Sequence, residues 1–112
     1  MPRDFAPARG DVVWLNFTPE AGHKQAGDRP ALVLSPEAYN RKVGLALVCP
    51  ITTQVKGYPF EVLLPAGSKL RGAVLSDQVK SLNWRARQMR RFGKAPESVM
   101  AEVLGKIGTL LT

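Results

Sequence analysis

The chain has 112 residues, a length that suits one domain spanning residues 1–112 and one core of modest size. Lys and Arg total 16 against 9 Asp and Glu, giving a formal charge of +7 and a pI near 10.1, which suggests an anionic partner and leaves nucleic acid, an acidic protein and mere solubility open. A single cysteine, Cys49, excludes an intrachain disulfide and fits a reducing cytoplasm; no apolar run reaches the roughly 18 residues of a membrane span, and the N-terminal MPRDFAPARGD contains no apolar signal region.

In chain order, DVVWLNFT (Asp11 to Thr18) has the apolar spacing of a strand and stops at Pro19. The polar, Gly-punctuated stretch AGHKQAGD follows and contains the one histidine, His23. An Arg29-Pro30 step then leads into ALVLS (Ala31 to Ser35), a short apolar run bounded by prolines, as expected of a buried strand. PEAYNRK predicts one helical turn with Pro36 at its first position. LALVCPIT (Leu45 to Thr52) predicts another strand, with Pro50 confined to a strand end or a bulge because it lacks a backbone donor.

FEVLL (Phe60 to Leu64) is the next strand, after the loop TQVKGYP. Beyond the turn-rich PAGSKLRG, AVLSDQVKSLNW (Ala73 to Trp84) reads as a strand broken near Ser76-Asp77, and RARQMRRFGK as a strongly basic one. Gln78 to Pro96 contains no acid but holds Lys80, Arg85, Arg87, Arg90, Arg91 and Lys94 with Trp84 and Phe92 interleaved, either a solvated basic face or a nucleic-acid surface. From Pro96 the period changes. Val99, Val103, Ile107 and Leu110 fall on one helical stripe, Glu102 and Lys106 form an i,i+4 pair, and Gly105 and Gly108 imply close packing or a frayed last turn. Short strands followed by one helix define a mainly β fold with helical additions, a small barrel.

Composition narrows the chemistry. One His and one Cys cannot form a structural zinc site within one chain, and the acids show no Asp-x-Asp spacing, so neither a metal nor another cofactor is expected. There is no Gly-x-Ser-x-Gly elbow, Walker loop or Gly-x-Gly-x-x-Gly, and no pair of histidines for ribonuclease acid–base work. What remains is Arg, Lys, Ser/Thr, carboxylates and backbone.

Those groups suffice for one reaction on RNA, whose 2′-OH can attack the adjacent phosphate and leave a 2′,3′-cyclic phosphate and a 5′-OH. The protein has to align the backbone and stabilise charge on the phosphate oxygens. A guanidinium matches two such oxygens, and a neighbouring hydroxyl adds a hydrogen bond. Arg29, at a loop–strand junction, and Thr52 with Thr53, at a strand end, are the candidates. Spacing alone leaves the structural alternatives open: Arg29 could pin its loop through an ion pair, and paired threonines commonly end strands.

Four segments together resemble the MazF/PemK family of toxins from bacterial toxin–antitoxin pairs. They are GDVVWLNF, then Pro19 and Gly22 with QAGDRPALVLSP, then PITTQVKGYPFEV, then LSDQVKSLNWRAR. The resemblance implies an SH3-like barrel of the MazF/PemK/CcdB type with a C-terminal helix, working as a homodimer. It implies a metal-independent, sequence-specific endoribonuclease acting on single-stranded mRNA, inhibited by an acidic, MazE-like antitoxin. The family's catalytic Arg in Gln-x-Gly-x-Arg-Pro falls on Arg29, and its Pro-x-Thr threonine on Thr52. Thr53, Lys56, Gln78, Lys80 and Arg87 match groove positions, and His23, Lys24 and Gln25 are expected RNA contacts in the preceding loop.

Lys24 departs from the family, whose close members usually carry an acid there. A general base would then be Glu20 or His23, or none is required, and Lys24 would instead add phosphate affinity. Two alternatives share the fold: a CcdB-like gyrase poison, which relies on a Trp near the chain end where this sequence reads GTLLT, and a non-catalytic RNA- or antitoxin-binding module.

Overall fold

Alternating apolar residues place β1 (Asp11–Asn16) with Val13 and Leu15 on one face and Val12 on the other, and both faces are covered. The structure is a computed structural model and describes residues 5–16 and 28–112. The remaining strands are β2 (Asp28–Val33), β3 (Leu45–Thr52), β4 (Glu61–Leu63), β5 (Ala73–Leu75), β6 (Lys80–Asn83) and β7 (Arg90–Lys94). Helices α1 (Glu37–Val43) and α2 (Glu97–Leu111) complete the described elements. The strands form an antiparallel sheet in the order β4-β5-β3-β2-β1-β7, with β6 also pairing β3. The fold is mainly β with a C-terminal helix, compatible with a small barrel.

The long strand β3 is the hub. Leu45 to Val48 pair with β6, Val48 to Pro50 with β2, and Ile51 and Thr52 with β5. Pro50 therefore sits inside the strand, at the corner where β3 leaves β2 for β5, a position that tolerates its missing donor. The break expected near Ser76-Asp77 is present between β5 and β6. β2 starts earlier than the apolar run, at Asp28, because cross-strand pairing carries Leu15 opposite Arg29 and Trp14 opposite Pro30.

Two apolar cores lie on opposite faces of the central strands. The first joins Val13, Leu15, Ala31, Val33 and Val48 to Trp84 and Met89; the second joins Val12, Leu32, Ile51, Val62 and Val74 to Val99 and Val103 of α2. The helical stripe is thus where the 3.6 period puts it, except that Leu110 is exposed. Gly105 and Gly108 are neither tightly packed nor at a frayed end: a Cβ at either would meet open space, and α2 runs on to Leu111. Pro36 and Pro96 are N-caps rather than first-turn residues, and α1 spans seven residues rather than one turn. Buried Asn40 ties α1 down: its side-chain amide donates to the Pro7 and Ser35 carbonyls, and its backbone carbonyl accepts from Trp84 Nε1 at 2.9 Å.

Cys49 is fully buried, and its Sγ lies 3.9 Å from the Ser76 carbonyl. Burial, reinforced by the Asp77 carboxylate, pushes the thiol up from 9.0 to about 12. The unfolded chain then releases this proton near its ordinary value while the folded chain retains it, so this contribution to stability is lost as pH rises from 9 to 12. At pH 8 a chromogenic disulfide reagent should leave Cys49 untouched in the native protein and label it on addition of denaturant; prompt labelling without denaturant would contradict this account.

Candidate functional site

Strand register brings the two principal candidates level. Cross-strand partners share a face. Leu15 lies opposite Arg29, Val13 opposite Ala31, Ala31 opposite Pro50 and Val33 opposite Val48. Continuing the β2–β3 register two residues past its last pair sets Arg29 opposite Thr52, on the face of the first core. The β2–β3 pairing ends at Ala31 and Pro50, and on the other edge of β3 Thr52 pairs with Ala73 of β5. Lys80, opposite Val48, emerges on the same face at the start of β6. Strand alternation thus puts Arg29, Thr52 and Lys80 on the face of the first core.

At this junction the neighbouring Asp28 binds Arg90 at 2.7 Å. Strand alternation turns Asp28 to the opposite face, and the exposed Arg29 has no ion pair or hydrogen bond among the described residues. Thr52 is half-buried, and its Oγ1 accepts the Gln54 backbone N–H at 3.0 Å. That bond uses an oxygen lone pair, so the hydroxyl proton stays available for donation.

Gly72 sets the height of Thr52. Its φ is +135°, a region L residues rarely adopt, and a Cβ there would overlap the Thr52 carbonyl, with the carbonyl carbon 2.9 Å away. The loop carrying Thr53 and Lys56 is held by carboxylates. Glu61 accepts the Gly57 N–H at 2.6 Å and the Lys56 N–H at 3.1 Å, and Asp77 accepts the Tyr58 hydroxyl at 2.6 Å. The bond to Asp77 is the main cause raising the Tyr58 pKa above its ordinary value. From α2, Lys106 Nζ donates to the Pro59 carbonyl at 2.7 Å. Composition gave none of Gly72, Glu61, Asp77 and Lys106 a part in the site, because their roles arise from specific contacts that residue type does not reveal.

Glu61→Gln keeps the shape but gives up the charge that strengthens these backbone bonds. If the loop positions substrate, turnover on a saturating RNA should change less than twofold while KM rises severalfold. An equal fall in kcat with no change in KM would assign Glu61 another role.

The remaining sequence candidates separate. Thr53, Lys56, Gln78 and Lys80 are exposed, whereas Arg87 is half-buried: its Nη1 donates to the Asn16 carbonyl at 3.1 Å, and its own carbonyl accepts the Asn16 N–H. His23, Lys24 and Gln25 lie outside the described residues. The basic run is not one continuous surface. Arg90 pairs with Asp28, Arg91 and Lys94 with buried Asp11, and Trp84 is a core residue with Phe5 edge-on and Arg85 over its ring. Trp84 is therefore no stacking platform for a base.

The family model for PemK-like, MazF-like toxins of type II toxin–antitoxin systems matches residues 8–111. The chain belongs to the PemK/MazF toxin family. It is 47% identical over 107 residues to the endoribonuclease toxin MazF of Escherichia coli strain K12, covering 96% of each chain. It is 37% identical to the Escherichia coli endoribonuclease PemK, covering 93% of this chain and 81% of that one. The crystal structure of MazF from Deinococcus radiodurans superposes with a TM-score of 0.87 at 56% identity, over 96% of this chain and 98% of that one. A MazE–MazF complex from the same organism gives a TM-score of 0.87 at 52% identity, over 96% and 97%. In PemK/MazF terms, the face carrying Arg29 and Thr52 is the candidate active site, and the loop held by Glu61 and Asp77 is its flank.

Proposed function

We propose that this PemK/MazF toxin is an endoribonuclease that cleaves single-stranded RNA at Arg29 and Thr52 by 2′-OH attack, without a metal or other cofactor. What supports the reading is an exposed arginine with no ion-pair partner among the described residues, set opposite Thr52 when the β2–β3 register is continued two residues past its last pair. The guanidinium would hold two oxygens of the scissile phosphate and stabilise the charge that builds on them as the 2′-oxygen attacks. Thr52 would donate a hydrogen bond to a third oxygen. Lys56, Lys80, Thr53, Gln78 and Arg87 would bind the flanking strand, together with His23, Lys24 and Gln25.

The reading extends to one domain over residues 1–112, a cytoplasmic homodimer, and an acidic, MazE-like antitoxin that covers the basic groove. The charge of +7 supports an acidic inhibitor, and relatives crystallised with MazE support its type. No helix of the described residues is long and apolar enough to cross a membrane.

The deciding experiment incubates the purified protein with a defined single-stranded RNA in EDTA and identifies the ends. Cyclic phosphate and 5′-OH termini are expected. Binding without cleavage would leave a non-catalytic module, and cleavage only after a divalent ion is restored would overturn the metal-independent chemistry.

A further inference from the structure

A second, unrelated feature lies on the other face of the sheet. β7 contains a bulge against β1: Val12 pairs with Gly93 but Val13 pairs with Arg91, so Phe92 is the extra residue. Bulges re-aim the side chain of the residue they insert. The Phe92 ring stands edge-on to Trp14 at 5.6 Å and beneath the Lys69 ammonium at 5.7 Å, forming one wall of a cavity of about 210 Å³. Val12, Leu64, Leu70 and Ala95 supply most of the remaining apolar lining. Val12 belongs to the second core and Arg29 shares a face with the first, so the cavity is separate from the candidate active site.

The chemistry of its occupant follows from size and charge. An apolar cavity of roughly 150 Å³ already holds one benzene ring, so this one accommodates a ring with a short tail and no more. Its rim carries two cations in different states. Lys94 is engaged by buried Asp11 at 3.0 Å, while Lys69 has no ion pair among the described residues and rests its stem beside Gly93, which leaves room for it. An ammonium with no ion pair among the described residues, at the mouth of a largely apolar pocket, favours a ligand with an apolar body and an anionic head.

We propose that this cavity binds small arylalkyl carboxylates, with the ring against Phe92 and the carboxylate on Lys69. The test titrates the full chain with 3-phenylpropionate and follows backbone amide resonances by nuclear magnetic resonance. Saturable shifts confined to Leu70, Phe92, Gly93 and Lys94 are expected. The neutral amide, 3-phenylpropanamide, should bind about tenfold more weakly, and Lys69→Ala should remove that preference, since charge assistance is the difference between the two ligands. Lys69 is exposed, so this variant retains its fold. Absence of saturation, equal binding of acid and amide by the unaltered protein, or shifts centred on Arg29 and Thr52 would each overturn the proposal. None of these outcomes depends on RNA cleavage, so failure of the nuclease reading would leave it standing.

Discussion

Arg29→Ala should lower the rate of RNA cleavage by about 10²–10³ while leaving the fold intact, the loss typical of removing one preorganised donor from a developing oxyanion. The two halves of this expectation have separate grounds. Activity should fall because the continued β2–β3 register sets the Arg29 guanidinium opposite Thr52, where the planar fork matches two phosphate oxygens. Stability should hold because Arg29 is exposed and makes no ion pair or hydrogen bond among the described residues; the junction is held by Asp28 and Arg90. Arg29→Lys separates charge from geometry, since an ammonium keeps the charge but loses the planar fork. Cleavage at an unaltered rate by Arg29→Ala, with an unchanged circular dichroism spectrum, would remove Arg29 from the active site.

Gly72→Ala is expected to damage the same site from behind. Its Cβ would run into the Thr52 carbonyl, and φ of +135° is strained for alanine regardless of space. Overpacking and strain together should cost about 3 kcal/mol, read as a lower urea midpoint with unchanged slope. Because relief requires Thr52 to move, cleavage should fall at least tenfold when assayed well below the transition. Gly67→Ala is the control: its φ is +87°, also left-handed, but a Cβ there meets nothing within 4 Å. It should lose only about 1 kcal/mol and leave cleavage unchanged. Equal losses in the two variants would mean that backbone strain alone matters and that Gly72 does not position Thr52.

Much of this architecture was legible in the residues. The apolar runs from Asp11, Ala31 and Leu45 are strands because alternating or continuous apolar residues have to be buried on one or both faces of a sheet. The stripe Val99, Val103 and Ile107 is a helix face for the same reason at a different period. Pro50 pointed to a strand end or a bulge but lies within β3, as the last residue paired with β2. The family pattern likewise singled out Arg29 and Thr52. The basic run was less legible: its charge is a local property of sequence, but its neutralisation by Asp11 and Asp28 is not.

By itself the sequence determined the types of element, the residues able to do chemistry and the absence of paired histidines, because propensity, period and composition are local. Only the tertiary structure decided that Arg29 falls opposite Thr52 once the β2–β3 register is continued, that Asp28 pairs with Arg90 of a distant strand, and that Phe92 leaves the ladder to wall a cavity. Each depends on strand register and on which residues from distant segments meet. Register is set by burying both faces of β1 to β3 at once, a condition on the whole sheet rather than on any one strand.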